Sequence, residues 1–461
     1  MNALRDRSRT ENNMKKITAL ILVLTLALAL CGCANLENLK NVDIPPLPEA
    51  TEEPTPNPEA TSVPTEEIDT SDSTAQSTVP NHVIVSIENH SEEHYDPQYG
   101  TTCILTFSYD TLEVYIEGRD DATQAVNEYL ATLDDTYYTG NSYDDTEDDS
   151  EQPSGLSGYL EQATDNYVYA VQNGLTDLPL EFSCLRTTSV GRLDDQVISL
   201  LYNTNTYTGG AHGSYVNRGY VFDSETGEVV TLDTLSEGHE DFKTFAANYM
   251  LQLYQQDEDG YYSERVATDM LTTDVNSAIT AVLRDGSWLF NDEGMYIFSD
   301  LYELGPYAAG LTEFLIPYSE LEGQIDDKWL PQSHDDGETA GSIQLKAQSD
   351  VADGSIEIID KVVIDEDQTQ LCLVADGTIY DVLLSEVGYN GSSFYESSEL
   401  WAASYMSDCA LQLVTQIPEG MPNLRISYKN AAGEETSLLL SQSGEDGGYI
   451  LVNEADIEAV G

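Results

Sequence analysis

Basic residues are scarce in this chain. Lys and Arg total 18 against 83 Asp and Glu, a formal net charge of −65 over 461 residues. That balance excludes nucleic acid as a partner, whose phosphates demand a basic face. It also opposes direct adsorption to an anionic membrane surface, while permitting attraction of basic partners. A uniformly acidic, solvated surface accounts for the same numbers. Cysteine is scarce too, with six residues and no C-x-x-C pair, which removes support for zinc ribbons and thioredoxin-type chemistry. H-E-x-x-H is absent, and the Ala-His-Gly-Ser run 211–214 lacks the G-x-S-x-G order of a nucleophile elbow. No cofactor signature is present. The apolar run Ile17–Leu30 is too short to span a bilayer as a stable helix.

That run belongs instead to a targeting segment. Lys15 and Lys16 precede it, and Leu30-Cys31-Gly32-Cys33 follows, the pattern of a bacterial lipobox. Residues 1–32 therefore read as a lipoprotein signal peptide and Cys33 as the lipid attachment point. Cys33 acylation would anchor the chain in the lipid bilayer, with more than one acyl chain needed for firm attachment. The expected location is the outer face of the bacterial cytoplasmic membrane in a Gram-positive-type envelope. Residues 33–80 form a Pro/Thr/Glu-rich tether, because half of the sixteen prolines fall there and no apolar period is sustained.

The remainder predicts an α+β fold: two mixed α+β domains followed by a mostly-β C-terminal domain, a small sandwich. The first domain, 81–193, has strands at Val83–Ile87, Thr102–Tyr109 and Leu112–Ile116. Helical stripes follow in Asp121–Asp134 and Leu160–Gly174, with a strand at Leu180–Ser189. The second, 194–332, is expected to hold helices at Asp241–Tyr254 and Val266–Leu283, and short strands at Trp288–Phe290 and Met295–Phe298. A linker at 333–340 leads into 341–461, a β-rich domain of unassigned role in which Leu400–Tyr405 reads as a helix interrupting many short strands. Besides Cys33, the cysteines that stay after signal removal are Cys103, Cys184, Cys372 and Cys409. They allow three full pairings, of which Cys103–Cys184 and Cys372–Cys409 stay within one domain each; free buried thiols are the alternative.

The most informative stretch is Val197–Asp233. Strand-like runs Val197–Tyr202 and Tyr215–Val221 flank a turn-rich centre, and a turn at Asp223–Gly227 leads to a short strand, Val229–Leu232. In the centre, Tyr207, Gly209, Gly210, His212, Gly213 and Tyr215 are candidates for binding or for defining the hairpin. Glycine there allows positive φ and close backbone approach. His212 has three readings: fixing the turn, meeting a partner, or acting as base or ligand. His82, His90 and His94 invite a metal reading without a matching motif, and the acidic runs Asp144–Glu151 and Asp257–Gly260 do not fit the EF-hand spacing.

The segment 198–232, together with Leu304-Gly305-Pro306-Tyr307-Ala308-Ala309-Gly310 and Phe314-Leu315-Ile316-Pro317-Tyr318, resembles the extracytoplasmic domain of the RsiV anti-sigma-factor family, of the DUF3298 type. Residues 82–193 are similar to the DUF4163-like domain that precedes it in RsiV and in deacetylases of the PdaC type. The resemblance implies an envelope binding or sensing module, and a basic extracellular protein such as lysozyme as one class of partner. It departs from RsiV in carrying a lipobox instead of a spanning helix, and from PdaC in lacking a deacetylase domain. The expectation is a non-enzymatic surface lipoprotein that binds a protein or a cell-wall component. A glycan-modifying or hydrolytic enzyme centred on His212 and a structural spacer are the alternatives.

Overall fold

The computed structural model describes residues 82–140, 154–175, 181–257, 259–332, 341–351, 354–364, 369–417, 421–442 and 448–454. The expected lipobox with Cys33, the expected tether, the acidic run 144–151 and the expected linker 333–340 lie outside these residues.

Strands β1 (Val83–Tyr95) and β2 (Cys103–Ile116) form a long antiparallel pair. Leu112, Val114 and Ile116 alternate toward one face, as a half-buried strand requires. That face takes helix α1 (Asp120–Thr139), whose Ala122, Val126, Leu130 and Leu133 recur at helical spacing and are buried. The Asn127 side chain fixes the docking by accepting from Val114 N and donating to Val114 O, both at 2.8 Å. Helix α2 (Gly155–Asn173) covers the other end of β2 through Ala163 and Tyr167. The two strands expected at 102–109 and 112–116 are one. Asp110, which reads as a break, is buried because its carboxylate accepts from Thr188 N and from Asn89 Nδ2, each at 2.8 Å.

Strand β3 (Phe182–Leu193) pairs parallel with β2. β4 (Val197–Tyr207) and β5 (Ser214–Asp223) continue as an antiparallel meander. The short strand expected at Val229–Leu232 shrinks to one bridge, Phe222 to Val229. Thr231 there caps helix α3 (Leu232–Leu235), its hydroxyl accepting from Thr234 N. Then come α4 (Phe242–Gln256), α5 (Tyr261–Arg265), α6 (Val275–Val282), β6 (Trp288–Phe290), β7 (Gly294–Phe298), β8 (Glu313–Pro317) and α7 (Tyr318–Leu321). β6, β7 and β8 make a small sheet whose core includes Phe242, Met250, Trp288, Phe314 and Trp329. Of the helix expected over Val266–Leu283, only α6 forms. Ala267 N is committed to Leu304 O at 2.8 Å, and Asp274 starts the helix by accepting from Ser277 N. The small sheet seats against β4 and β5: Ser199 Oγ donates to Phe290 O at 2.7 Å, and Gly219 N donates to Gly286 O. A Cβ on Gly219 would stand 2.0 Å from Trp288 O, so only glycine fits this crossing.

The C-terminal part is nearly all strand: β9 (Ser342–Ala347), β10 (Glu357–Val363), β11 (Thr369–Asp376), β12 (Thr378–Tyr389), β13 (Phe394–Ser407), β14 (Cys409–Thr415), β15 (Leu424–Lys429), β16 (Glu435–Gln442) and β17 (Tyr449–Asn453). One sheet runs β10-β14-β11-β9 and faces strands β12, β13, β15 and β16 across a shared apolar layer. The chain passes between the two sheets at Gly377 and Asp408, both with positive φ, and Gly377 N donates to Asp408 Oδ1 at 3.1 Å. The expected helix Leu400–Tyr405 lies inside β13. An apolar run buried on both faces has no period to separate helix from central strand, and here Ile84, Val85 and Ser86 of β1 pair with Ala403, Ala402 and Trp401. One sheet of ten strands, β17-β16-β15-β12-β13-β1-β2-β3-β4-β5, therefore continues across positions 193/194 and joins 341–461 to the first strand.

The bridges Cys103–Cys184 and Cys372–Cys409 are not formed, and all four thiols are free. Cys184 sits opposite Phe107, and Cys372 opposite Gln412. Offsets of four and three residues along a strand separate the partners by about 10–13 Å, beyond the reach of a disulfide.

Candidate binding site

The glycine-rich connection between β4 and β5 folds back on itself and docks on a second loop. Gly209 and Gly210 have φ of 92° and 88°, and Tyr207 donates its hydroxyl to Gly210 O at 3.3 Å. Gly213 has no room for a Cβ, which would meet Thr206 O at 2.8 Å. This geometry presents His212 to the segment 302–310. Its ring stacks on Tyr307, centroids 3.8 Å apart and planes 20° from parallel. Nδ1 lies 2.8 Å from Gly213 O, which can only accept, so that nitrogen carries the proton. In the neutral ring Nε2 is then an acceptor, and the Tyr302 hydroxyl donates to it at 3.2 Å. Tyr215 approaches Tyr307 edge-on at 6.4 Å, and its partial burial raises its hydroxyl pKa.

The six candidate hairpin residues thus form half of a site, and Tyr302 and Tyr307 supply the other half. Tyr302 is 36% exposed and has φ of 64°. A tyrosine in the left-handed region stores strain of about 1–3 kcal/mol, of the kind that collects at functional positions. Beneath the aromatic rings lies an ionic network. Arg218 pairs with Asp300 at 2.8 Å, while Arg284 pairs with Asp300 at 2.7 Å and Glu303 at 2.8 Å. Burial acts to raise the Asp300 carboxyl, but the Arg218 and Arg284 guanidiniums outweigh it, and the pKa falls below the ordinary carboxylate range.

Both nitrogens of His212 are engaged, which suits an anchored ring better than a general base. Residues 196–222 carry no Asp or Glu, a long interval in so acidic a chain and a signal of this region readable in the sequence. The partnership of His212 with Tyr302 and Tyr307 had no local signal, being a contact across about ninety residues. The other candidates do not converge. His82 packs on Tyr405, His90 meets Thr111 Oγ1 at 2.8 Å, and His94 lies near Glu92. Among the described residues no group of three His, Cys, Asp or Glu is arranged for a metal. Asp257 accepts from Tyr262 N and Ser263 N at the start of α5; Glu258 lies outside the described residues.

Fold and site define a class: an α+β protein on one large sheet, carrying a compact helix–sheet module whose loops present an exposed aromatic cluster. Residues 236–319 of that module match the family described as "Protein of unknown function (DUF3298)". The match includes Tyr302 and Tyr307 and begins beyond the glycine-rich hairpin. Among solved structures, the chain is similar to a DUF3298 family protein from Pseudomonas aeruginosa PAO1, at 16% identity and a TM-score of 0.34, covering 54% of this chain and 97% of that one. It is also similar to a DUF3298 family member from Bacteroides fragilis, at 15% identity and a TM-score of 0.37, covering 52% and 93%. No curated protein matches.

Proposed function

We propose that this chain is a surface lipoprotein, held to the outer face of the membrane through acylated Cys33, that binds or senses an extracellular protein or a cell-wall component. The observation that carries this reading is the exposed cluster of His212, Tyr302 and Tyr307, assembled from two distant loops and holding a strained tyrosine. Rigid tyrosines give large contact area for little lost entropy, as recognition surfaces require. The lipobox and the proline-rich tether support a position at the envelope, with the folded part held clear of the bilayer. An RsiV-like role, with a basic protein such as lysozyme as partner and a DUF4163-like domain at 82–193, is the finer form of the same reading.

The test is capture from intact cell envelopes by the purified full chain. A protein or glycan enriched above a denatured control, and lost when Tyr302 and Tyr307 are both replaced by Ala, is the expected result. Equal recovery by native and denatured chain would sink the proposal. Lysozyme binding is measured at low and physiological salt, because nonspecific attraction to an acidic surface fades as salt rises.

A further inference from the structure

The site differs from the rest of this chain in charge. In a protein of net −65, the whole stretch 196–222 lacks acidic residues, and so does 304–312 on the facing loop. Glu313, whose charge reaches Tyr215, is opposed there by Arg265, and the two acids nearest Tyr302 in the chain, Asp300 and Glu303, are each paired with arginine. Arg218 and Arg284 balance them, which leaves the aromatic cluster on locally neutral ground. A basic protein steered by this chain's acidity would find its complementary charge elsewhere on the surface.

Beside the rings runs a row of amides. Asn203 Nδ2 donates to Asn217 Oδ1 at 2.6 Å, and Asn205 Nδ2 donates to Asn203 Oδ1 at 3.2 Å. Asn203 and Asn217 face each other across β4 and β5, and Asn205 is opposite Tyr215, whose ring reaches Tyr307. Amides and aromatic rings thus adjoin. Asn217 is buried and anchors the row, whereas Asn203 is half-buried and Asn205 exposed, and their two bonds use only part of the donors and acceptors that an amide offers. Neutral ground, exposed ring faces and adjacent amides match a ligand with apolar C–H faces and a rim of uncharged hydroxyls.

We infer that the site takes an uncharged saccharide, with a pyranose face lying against the cluster of His212, Tyr302 and Tyr307 and its hydroxyls meeting the amides of Asn203 and Asn205. This rests on the binding role proposed above and narrows its ligand.

The experiment is titration calorimetry on the full chain in a polyoxyethylene detergent, which carries no sugar headgroup. The probes are the tetramers of β-1,4-linked N-acetylglucosamine, β-1,4-linked glucose and α-1,4-linked glucose. Saturable binding of at least one is expected, unchanged between low and high salt because no ion pair forms. Tyr302→Ala and Tyr307→Ala should each weaken it about tenfold, the loss of one stacking contact. Tyr169→Ala, an exposed tyrosine on α2, should leave it unchanged. Thermal melts of each variant show whether it folds, and Tyr302→Phe supplies a conservative second variant that keeps the ring. No binding by any probe, or binding indifferent to Tyr302 and Tyr307 in folded variants, overturns the inference. Tyr302-dependent capture of a protein with no saccharide binding overturns it while sparing the binding role. An empty envelope capture together with no saccharide binding overturns both.

Discussion

Glu399 offers the sharpest check on the energetics of the large sheet. It lies on β13 opposite Ser385, is 93% buried, and accepts a hydrogen bond from Val190 N of β3 at 2.7 Å. Burial raises its pKa, and the like charges of Glu396 and Asp110 add to this, so it is pushed up to about 8 from 4.5. Below about 4.5 the acid is neutral in both folded and unfolded chains. Between those values the folded state holds a proton that the unfolded chain has lost, so stability falls as pH rises and levels off above the folded value. At about 1.4 kcal/mol per pH unit, the full loss is on the order of 5 kcal/mol. Glu399→Gln keeps an acceptor for Val190 N–H and removes the proton. The expected result is that the variant gains on the parent chain by about 2–4 kcal/mol between pH 5 and pH 8.5. Urea midpoints at both pH values read this directly, provided the slopes stay equal. Asp134, also raised by burial, affects both chains alike and cancels in the difference, whereas Asp110 repels Glu399 and its part in that coupling is included in the difference. A gap that stays constant across that range would refute the reasoning.

Two other substitutions test the site and its support. Gly219→Ala should lower stability by about 3 kcal/mol or more, because its methyl would collide with Trp288 O and the backbone must move; a thermal melt that matches the parent would show the crossing to be looser than described. Tyr302→Gly relieves the positive φ and should hold or raise the melting temperature by an amount equivalent to about 1 kcal/mol, while weakening saccharide binding about tenfold, as Tyr302→Ala does. A loss of stability would mean that the strain is not carried at this residue.

Local structure was legible where a period was unambiguous. The spacing of Ala122, Val126, Leu130 and Leu133 indicates α1, and the β4–β5 hairpin follows from its β-branched runs and glycines. The α+β class and the β-rich C-terminal part were legible for the same reason. Leu400–Tyr405 was not, because Trp401, Ala402 and Ala403 are buried on both faces by partners hundreds of residues apart. Nor was the end of helical structure before Asp274, where a tertiary bond from Ala267 to Leu304 overrides the apolar spacing. The site divides the same way. Its hairpin half is written in adjacent residues and Tyr307 stands in the 304–310 motif, whereas Tyr302, the stacking of Tyr307 on His212 and the Arg218–Asp300–Arg284 network depend on chain-distant contacts that no local pattern encodes.

The pairing of β1 with β13 sets an order of events for a growing chain. Ile84 is among the first folded residues to be synthesised, yet its partner Ala403 comes 319 residues later. Until then β1 has β2 on one side and an open edge on the other, a template for wrong partners. Closing so long a loop comes late and slowly. Ser86 and Trp401 then both donate to Asp360 of β10, at 2.7 and 2.8 Å, so one carboxylate registers the arrival of all three strands. A truncation anywhere before residue 403 would therefore leave β1 unfinished, however complete the aromatic site beyond it.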